Sequence, residues 1–497
     1  MPESVGGVVD PETYVQEAGA FSTALNREQY LVGAGLKNVL EIAPIFQRHL
    51  QLFEGERFAE ARSWGFEPVE ERYLLDFIAT GYLENQTRAL SEQVVADELA
   101  ATIEWDGHPV PYRQVPALIA NEPDAVRRHA LERLHLDAML AFNPAREERE
   151  RRLQREARGF GYPDYVALYD ALHAIDLDAL ITRMQSFIAD TTEPYLAALD
   201  TYLGEMRILR DDARKCDLAR IFRFSPFDSA FPEDRLLPTL HAALKDLGID
   251  LEEQSQIHLD VEPRPLKSPR AFCSPVQVPM DVRLVLKPMG GAQDYETLFH
   301  EAGHAEHFGN VDRSLSFPYR CLGDSALTET YAFLLEHLLH DPIWLRRHLA
   351  VEQPKSLLQL AGFHRLYFLR RYGTKLIYER ELHAADDPTD FAPVYDELLT
   401  NNLGVAYGPE SYLADVDDGF YAAEYVRAWI FEAQLRRYLL QEFDDEWFRN
   451  PKAGRFLIEM WRDGQRYPVT QLARFMGFEG LDAGPVTDDI RALMEAQ

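Results

Sequence analysis

The feature that most limits what this chain can fold into is the run Glu296-Thr297-Leu298-Phe299-His300-Glu301-Ala302-Gly303-His304-Ala305, which reads as helix and carries His-Glu-x-x-His. At 3.6 residues per turn, His300 and His304 sit about 40° apart around the axis and roughly 6 Å apart along it. Imidazoles that project side by side can share one Zn²⁺ at about 2.0–2.1 Å from each. Glu301 falls at the edge of that face. From there its carboxylate can reach a water on the metal without binding the metal, which is the position a general base needs. The competing reading is two histidines on an ordinary helix, because five-residue motifs also arise by chance.

A catalytic zinc takes three protein ligands and leaves one position open. A second helix is expected after Asp324 or Ser325 as cap, ending before Pro342. Its side chains are mostly apolar, yet Glu329 and Glu336 lie seven apart and share a face. Carboxylates on a buried helix are costly unless they are paired or bind metal. Glu329 as third ligand, with Glu336 steadying a ligand histidine through a hydrogen bond, removes that cost. A solvated outer face for both glutamates is the alternative.

With these residues in place, the chain resembles the thimet oligopeptidase and oligoendopeptidase F family of zinc metallopeptidases. The family pattern Thr-Leu-x-His-Glu-x-Gly-His-x-x-His runs here from Thr297 to His307, and its glutamate 25 residues past the second histidine falls on Glu329. Its further glutamate, seven residues on, falls on Glu336. The resemblance implies a mainly α fold: a large helical shell around a deep substrate channel, with a small antiparallel β-sheet beside the zinc-binding helix. It implies one Zn²⁺ per chain and cleavage of short oligopeptides. The expected division is a helical N-terminal lobe over residues 1–190, covering the channel, and a catalytic zinc lobe over 191–497.

His307 lies on the same face as His300, but a fourth ligand would close the open position, so it reads as a packed neighbour. Gly303, lacking a side chain, allows another backbone to come close. His337 and His340 read as structural.

Several segments fill in the expected lobes. Asp106-Gly107 turns a short extended piece, and a charged helical stretch from Asp124 to Arg158 breaks near Pro144. Phe222–Pro232 reads as a connection. Ile257–Val261, Arg270–Ser274 and Val282–Leu286 read as strands, after which Gly290-Gly291 turns and Asp294 caps the motif helix. The resemblance implies that an edge strand holds the extended substrate by backbone hydrogen bonds, which places Ala271, Phe272 and Cys273 in the substrate-binding set. An ordinary inner hairpin is the alternative.

Tyr421 and Tyr425 are four apart on one helix face, and a phenol can stabilise the oxyanion that forms during hydrolysis. They resemble the family's Phe-Tyr-x-x-Gln-Tyr run, whose tyrosines act in this way. The histidine that family members carry shortly before is missing, and Asp415, Asp417 and Asp418 stand in that region. Arg427 is a candidate for binding a substrate carboxylate through its planar fork, with a surface or Glu424-side ion pair as the more frequent fate of such a residue.

Charge and cysteine usage narrow the setting. With 51 basic and 82 acidic residues the net charge is −31, which disfavours nucleic acid and anionic membranes as partners. Cys216, Cys273 and Cys321 form no close-spaced pair, so neither a disulfide framework nor a thiolate metal site is expected. No signal-peptide pattern or membrane-length apolar run is present, and a reducing cytoplasm is the expected location. Short peptides are the expected partners, and the oligomeric state stays open. A metallocarboxypeptidase of similar helical build is the alternative enzyme. A peptide-binding protein without activity is a third reading, which the intact Glu301 disfavours.

Overall fold

The computed structural model describes residues 10–385 and 387–496. Helices dominate it. The first, α1 (Pro11–Gly33), is capped by Asp10, whose side chain accepts the Thr13 N–H at 3.0 Å, and has Pro11 in its first turn. It is followed by α2 (Pro68–Ala100) and then by a two-stranded antiparallel hairpin, β1 (Thr102–Trp105) and β2 (His108–Pro111). The hairpin turns on Asp106 (φ 52°) and Gly107 (φ 77°), the two left-handed residues that a tight hairpin turn requires. The charged stretch after it forms two helices, Ala125–Met139 and Asn143–Ala157, and Pro144 stands in the first turn of the second.

The remaining strands are β3 (Ile257–Asp260), β4 (Phe272–Gln277) and β5 (Asp281–Val285). They are followed by α3 (Ala292–Asn310), α4 (Ser325–Glu336), α5 (Lys355–Ala384) and α6 (Tyr421–Phe443). Among the described residues, no helix is long and apolar enough to cross a membrane.

The contacts divide the chain into two compact units, each assembled from separated segments. One comprises Met1–Tyr82, Pro226–Pro354 and Arg427–Thr487. The other comprises Leu83–Ser225, Lys355–Val426 and Asp488–Gln497. The packing thus divides after residues 82, 225, 354, 426 and 487 rather than once at 190, and each unit gathers segments far apart in the sequence.

The first unit holds the three-stranded sheet, ordered β3-β5-β4. The β4–β5 pair is antiparallel, whereas β3 joins β5 in parallel, so the sheet beside α3 is mixed. β4 is its edge, and α1 lies along that edge. Gly33 leaves room for the Phe272 ring, which would come within 2.6 Å of any Cβ there. The Asn26 side-chain amide donates to the Pro275 carbonyl at 2.8 Å, and the Ser274 hydroxyl donates to the Asn26 carbonyl at 3.2 Å.

In the second unit an ionic network, half-buried at Asp415 and Asp417 and exposed at Asp418, fixes the segment before α6. Arg371 donates to Asp415 at 2.5 Å and Tyr395 donates to the same carboxylate at 2.8 Å. Lys375 pairs with Asp417 at 2.7 Å, and the Asp417 N–H donates to Glu379 at 2.7 Å. Arg149 pairs with Asp418, and the Gly419 N–H donates to the Tyr165 hydroxyl at 2.8 Å. The three aspartates that stand where a histidine was missing are thus anchors for the chain. Burial would raise the Asp415 carboxyl, but Arg371, Lys215 and Lys375 outweigh it and hold it below the usual carboxylate range.

Removing one partner from such a network strands the other as a buried charge. Arg371→Met is expected to destabilise the protein by about 3–5 kcal/mol, read as a lower denaturant midpoint in urea unfolding followed by circular dichroism.

Candidate active site

α3 starts where Gly290 (φ 78°) and Gly291 (φ 94°) turn the chain. Asp294 does not cap it. Its carboxylate reaches back to accept the Met289 and Gly290 N–H groups at 2.8 and 2.9 Å, closing the turn. The Ala292 N–H is taken instead by Asp228 at 3.1 Å, a residue remote in sequence.

α3 and α4 lie against each other in the first unit, and Gly303 marks their closest approach. A Cβ at 303 would stand 2.4 Å from the Tyr331 carbonyl oxygen and 2.6 Å from the Ala332 Cα. This contact lets Glu329 reach the two imidazoles. One Glu329 oxygen lies 3.3 Å from His300 Nε2 and 3.7 Å from His304 Nε2. One ligating atom from each of the three residues lies within 4.8 Å of the others.

The donor set fits a metal. Two ligand atoms about 2.1 Å from a tetrahedral ion stand about 3.4 Å apart, close to the separations seen. Each ring nitrogen on the far side is held by a protein oxygen. His300 Nδ1 is 2.8 Å from Glu336 and His304 Nδ1 is 2.8 Å from the Thr328 hydroxyl. With Glu336 and the Thr328 hydroxyl each accepting an Nδ1–H, the Nε2 lone pairs would face Glu329, the tautomer a metal ligand requires.

Charge balance points the same way. Burial opposes a proton on His300, but Glu329 and Glu336 outweigh it and hold the imidazole well above its ordinary value. His304, half-buried, is pushed down to about 4 by its desolvation. The carboxylates thus favour a positive charge in this pocket.

Glu301 stands beside this group. Burial, reinforced by Glu329 and Glu336, raises its carboxyl to about 7, against the opposing effects of His300 and the Cys273 N–H. That N–H belongs to β4 and donates to Glu301 at 2.8 Å. An edge-strand amide therefore holds the carboxylate in place, a contact the sequence did not reveal.

Other expected site residues sit as follows. Ala271 precedes β4 and is buried, Phe272 packs on Gly33, and Cys273 spends its N–H on Glu301. Arg427 is corrected by the structure. It is buried, and its guanidinium binds Asp324 through two nitrogens at 2.9 and 2.7 Å, so it cannot double as an anchor for substrate. Asp324 also caps α4 and accepts the Val469 N–H at 3.1 Å.

His307 is fully buried, stacks on Phe308 and is pushed down to about 3 by burial. His337 pairs with Glu432 at 2.9 Å and His340 with Glu296 at 3.4 Å. Tyr421 and Tyr425 belong to the second unit, with ring centroids 5.1 Å apart on one face of α6 and Tyr372 5.0 Å beyond Tyr425.

A second cluster, His129, Cys216 and Asp217, also brings three possible ligands together. Arg128 already occupies the Asp217 carboxylate at 2.6 Å, and burial with nearby acids raises the Cys216 thiol far from thiolate. A cation there would meet a guanidinium.

No family model matches the sequence, and no curated protein matches it. The fold does have solved counterparts. A structure provisionally named an oligoendopeptidase F aligns over 98% of this chain and 86% of its own, with a TM-score of 0.62 at 14% identity. The chain thus has a helical fold shared with that protein and carries a His-His-Glu group across two packed helices.

Gly303→Ala would force α3 and α4 apart and draw Glu329 from the imidazoles. Zinc affinity, measured by competition with a chromophoric chelator, is expected to fall at least about tenfold, the scale seen when a ligand's support is lost.

Proposed function

We propose that this protein is a zinc-dependent oligoendopeptidase acting on short peptides. The observation that carries the reading is the convergence of His300, His304 and Glu329 beside a half-buried Glu301. The fold shared with a protein provisionally named an oligoendopeptidase F supports it.

His300, His304 and Glu329 would hold one zinc ion, with Glu336 and Thr328 fixing the rings from behind. When bound, the zinc supplies a Lewis acid that polarises the scissile carbonyl and makes water acidic enough to attack near neutral pH. Glu301 takes the proton from the attacking water onto its carboxylate and delivers it to the leaving amine. Its raised affinity for a proton suits both halves of that task. The Cys273 amide keeps the carboxylate aimed during the exchange. Tyr421 or Tyr425 is assigned, by resemblance, the hydrogen bond to the oxyanion. Such backbone groups of the β4 edge as are not held by α1 or Glu301 are assigned, by resemblance, to the extended peptide. The carboxypeptidase alternative loses its anchor, because Arg427 is committed to Asp324.

Glu301→Gln is expected to keep zinc, as measured by metal analysis, while peptide turnover falls by about 10²–10⁴. The wild-type protein should cut an amidated peptide internally and stop on addition of a chelator, with fragments read by mass spectrometry. Cleavage that persists in Glu301→Gln removes the base from the mechanism, and release of C-terminal residues alone removes the endopeptidase.

A further inference from the structure

An open cavity of about 880 Å³ lies within the first unit, bounded by α1, the helices Ala43–Arg48 and Phe317–Cys321, and the end of β4. Small residues on α1 keep it open. Gly19 faces Phe317 with just enough room for a methyl group, its would-be Cβ lying 3.5 Å from the ring. The volume is in the range that holds ligands of a few residues.

The charge of this cavity is opposite to that of the chain. Four cations line it, Arg27, Lys37, Arg48 and Arg320, against two carboxylates, Glu28 and Glu41. Lys37 engages both carboxylates at 2.6 Å. Among the described residues, Arg27, Arg48 and Arg320 form no ion pair, and Arg320 is steadied by donating to the Val278 carbonyl at 2.9 Å. A surplus of two positive charges thus stands in a protein of net charge −31. Guanidinium groups in a recess are suited to a carboxylate, which they bind through paired hydrogen bonds.

The cavity also connects with the candidate active site through one strand. Cys273 on β4 holds Glu301, and Pro275 to Val278 of the same segment line the cavity. At about 3.3 Å per residue, that is about 7 to 17 Å along the strand, the span of a few extended residues. The exposed Gln277 amide at its rim offers a partner for a peptide backbone.

We propose that this cavity binds a carboxylate carried by a short peptide, either its C-terminus or an acidic side chain, a few residues from the bond to be cut. The choice of a peptide rests on the peptidase reading, whereas the anion site rests on the cavity alone. Such binding weakens as salt screens the exposed arginines.

The test uses the full-length Glu301→Gln protein, which cannot consume its ligand. A hexapeptide is titrated calorimetrically in three forms: free C-terminus, amidated C-terminus, and amidated with one internal aspartate. Each is compared with the same protein carrying Arg27→Ala and Arg48→Ala, two exposed positions. The peptide bearing a carboxylate is expected to bind at least tenfold more weakly to the arginine variant, while the amidated neutral peptide binds both proteins alike. Which carboxylate form shows the loss identifies the source. Arg320→Lys, retaining the charge, is expected to lose less affinity than Arg320→Met. In the otherwise wild-type enzyme the paired alanine substitutions should raise KM and leave kcat unchanged. Equal binding of all three peptides to both proteins overturns the cavity proposal even if cleavage proceeds. Arginine-dependent binding with no cleavage by the wild-type protein upholds it and overturns the peptidase reading instead.

Discussion

The close contact of α3 and α4 at Gly303 is the constraint on which the candidate centre depends. Ligand atoms on two helices meet only if the helix axes approach more nearly than ordinary side chains permit. Here backbone faces backbone, with the Tyr331 carbonyl and the Ala332 Cα filling the place of a side chain. The carboxylate of Glu329 is then short enough to reach rings projecting from the neighbouring helix. Thr328 and Glu336, on the same helix, arrive opposite the far sides of those rings. One packing decision thus sets both the inner and the supporting hydrogen bonds.

Electrostatics explains why so many acids can sit in so little space. Glu301, Glu329 and Glu336 surround two imidazoles, and desolvation disfavours the charged forms of Glu301, His300 and His304. Without a cation the conflict is relieved by protons, chiefly on His300, whereas a divalent ion would relieve it with its own charge. The same burial lifts Glu301 into the range where a carboxyl both accepts and gives up a proton near neutrality. Burial elsewhere has a different outcome. At Asp415 the surrounding Arg371, Lys215 and Lys375 keep the carboxylate ionised, and the charges serve only to fix the chain before α6.

What could be read in advance was whatever repeats with the helix. His300, His304, Glu329 and Glu336 announce themselves because 3.6 residues per turn turns spacing into direction. The hairpin at Asp106-Gly107 was legible for a similar reason, since few residues accept those dihedral angles. Long-range partnerships were not legible. Asp324 claimed Arg427 from 103 positions away, and Asp228 claimed the α3 terminus from 64 away. The mixed order of the sheet and the interleaved units escaped for the same reason, because local pattern does not say which distant segments return. The aspartates at 415, 417 and 418 read as a gap in a motif, and only their buried cationic partners explain them.

The state of β4 bears on how a peptide could be recognised. An edge strand grips an extended peptide through its outward N–H and C=O groups, which makes recognition tolerant of sequence. Here that supply is reduced: the Cys273 N–H is held by Glu301 and the Pro275 carbonyl by Asn26. A substrate strand would therefore find fewer backbone partners along β4 than an open edge provides. Each lost pair removes a contribution of roughly 0.5–1.5 kcal/mol to the grip. Affinity must then come from interactions beyond the strand, and a fixed charge at one end is an effective substitute, because charge-assisted hydrogen bonds are roughly twice as strong as neutral ones. On the proposed reading, the β4 amide committed to Glu301 would be closed to a peptide backbone, and the cations of the cavity beside the far end of β4 would hold the peptide's own charge in its place.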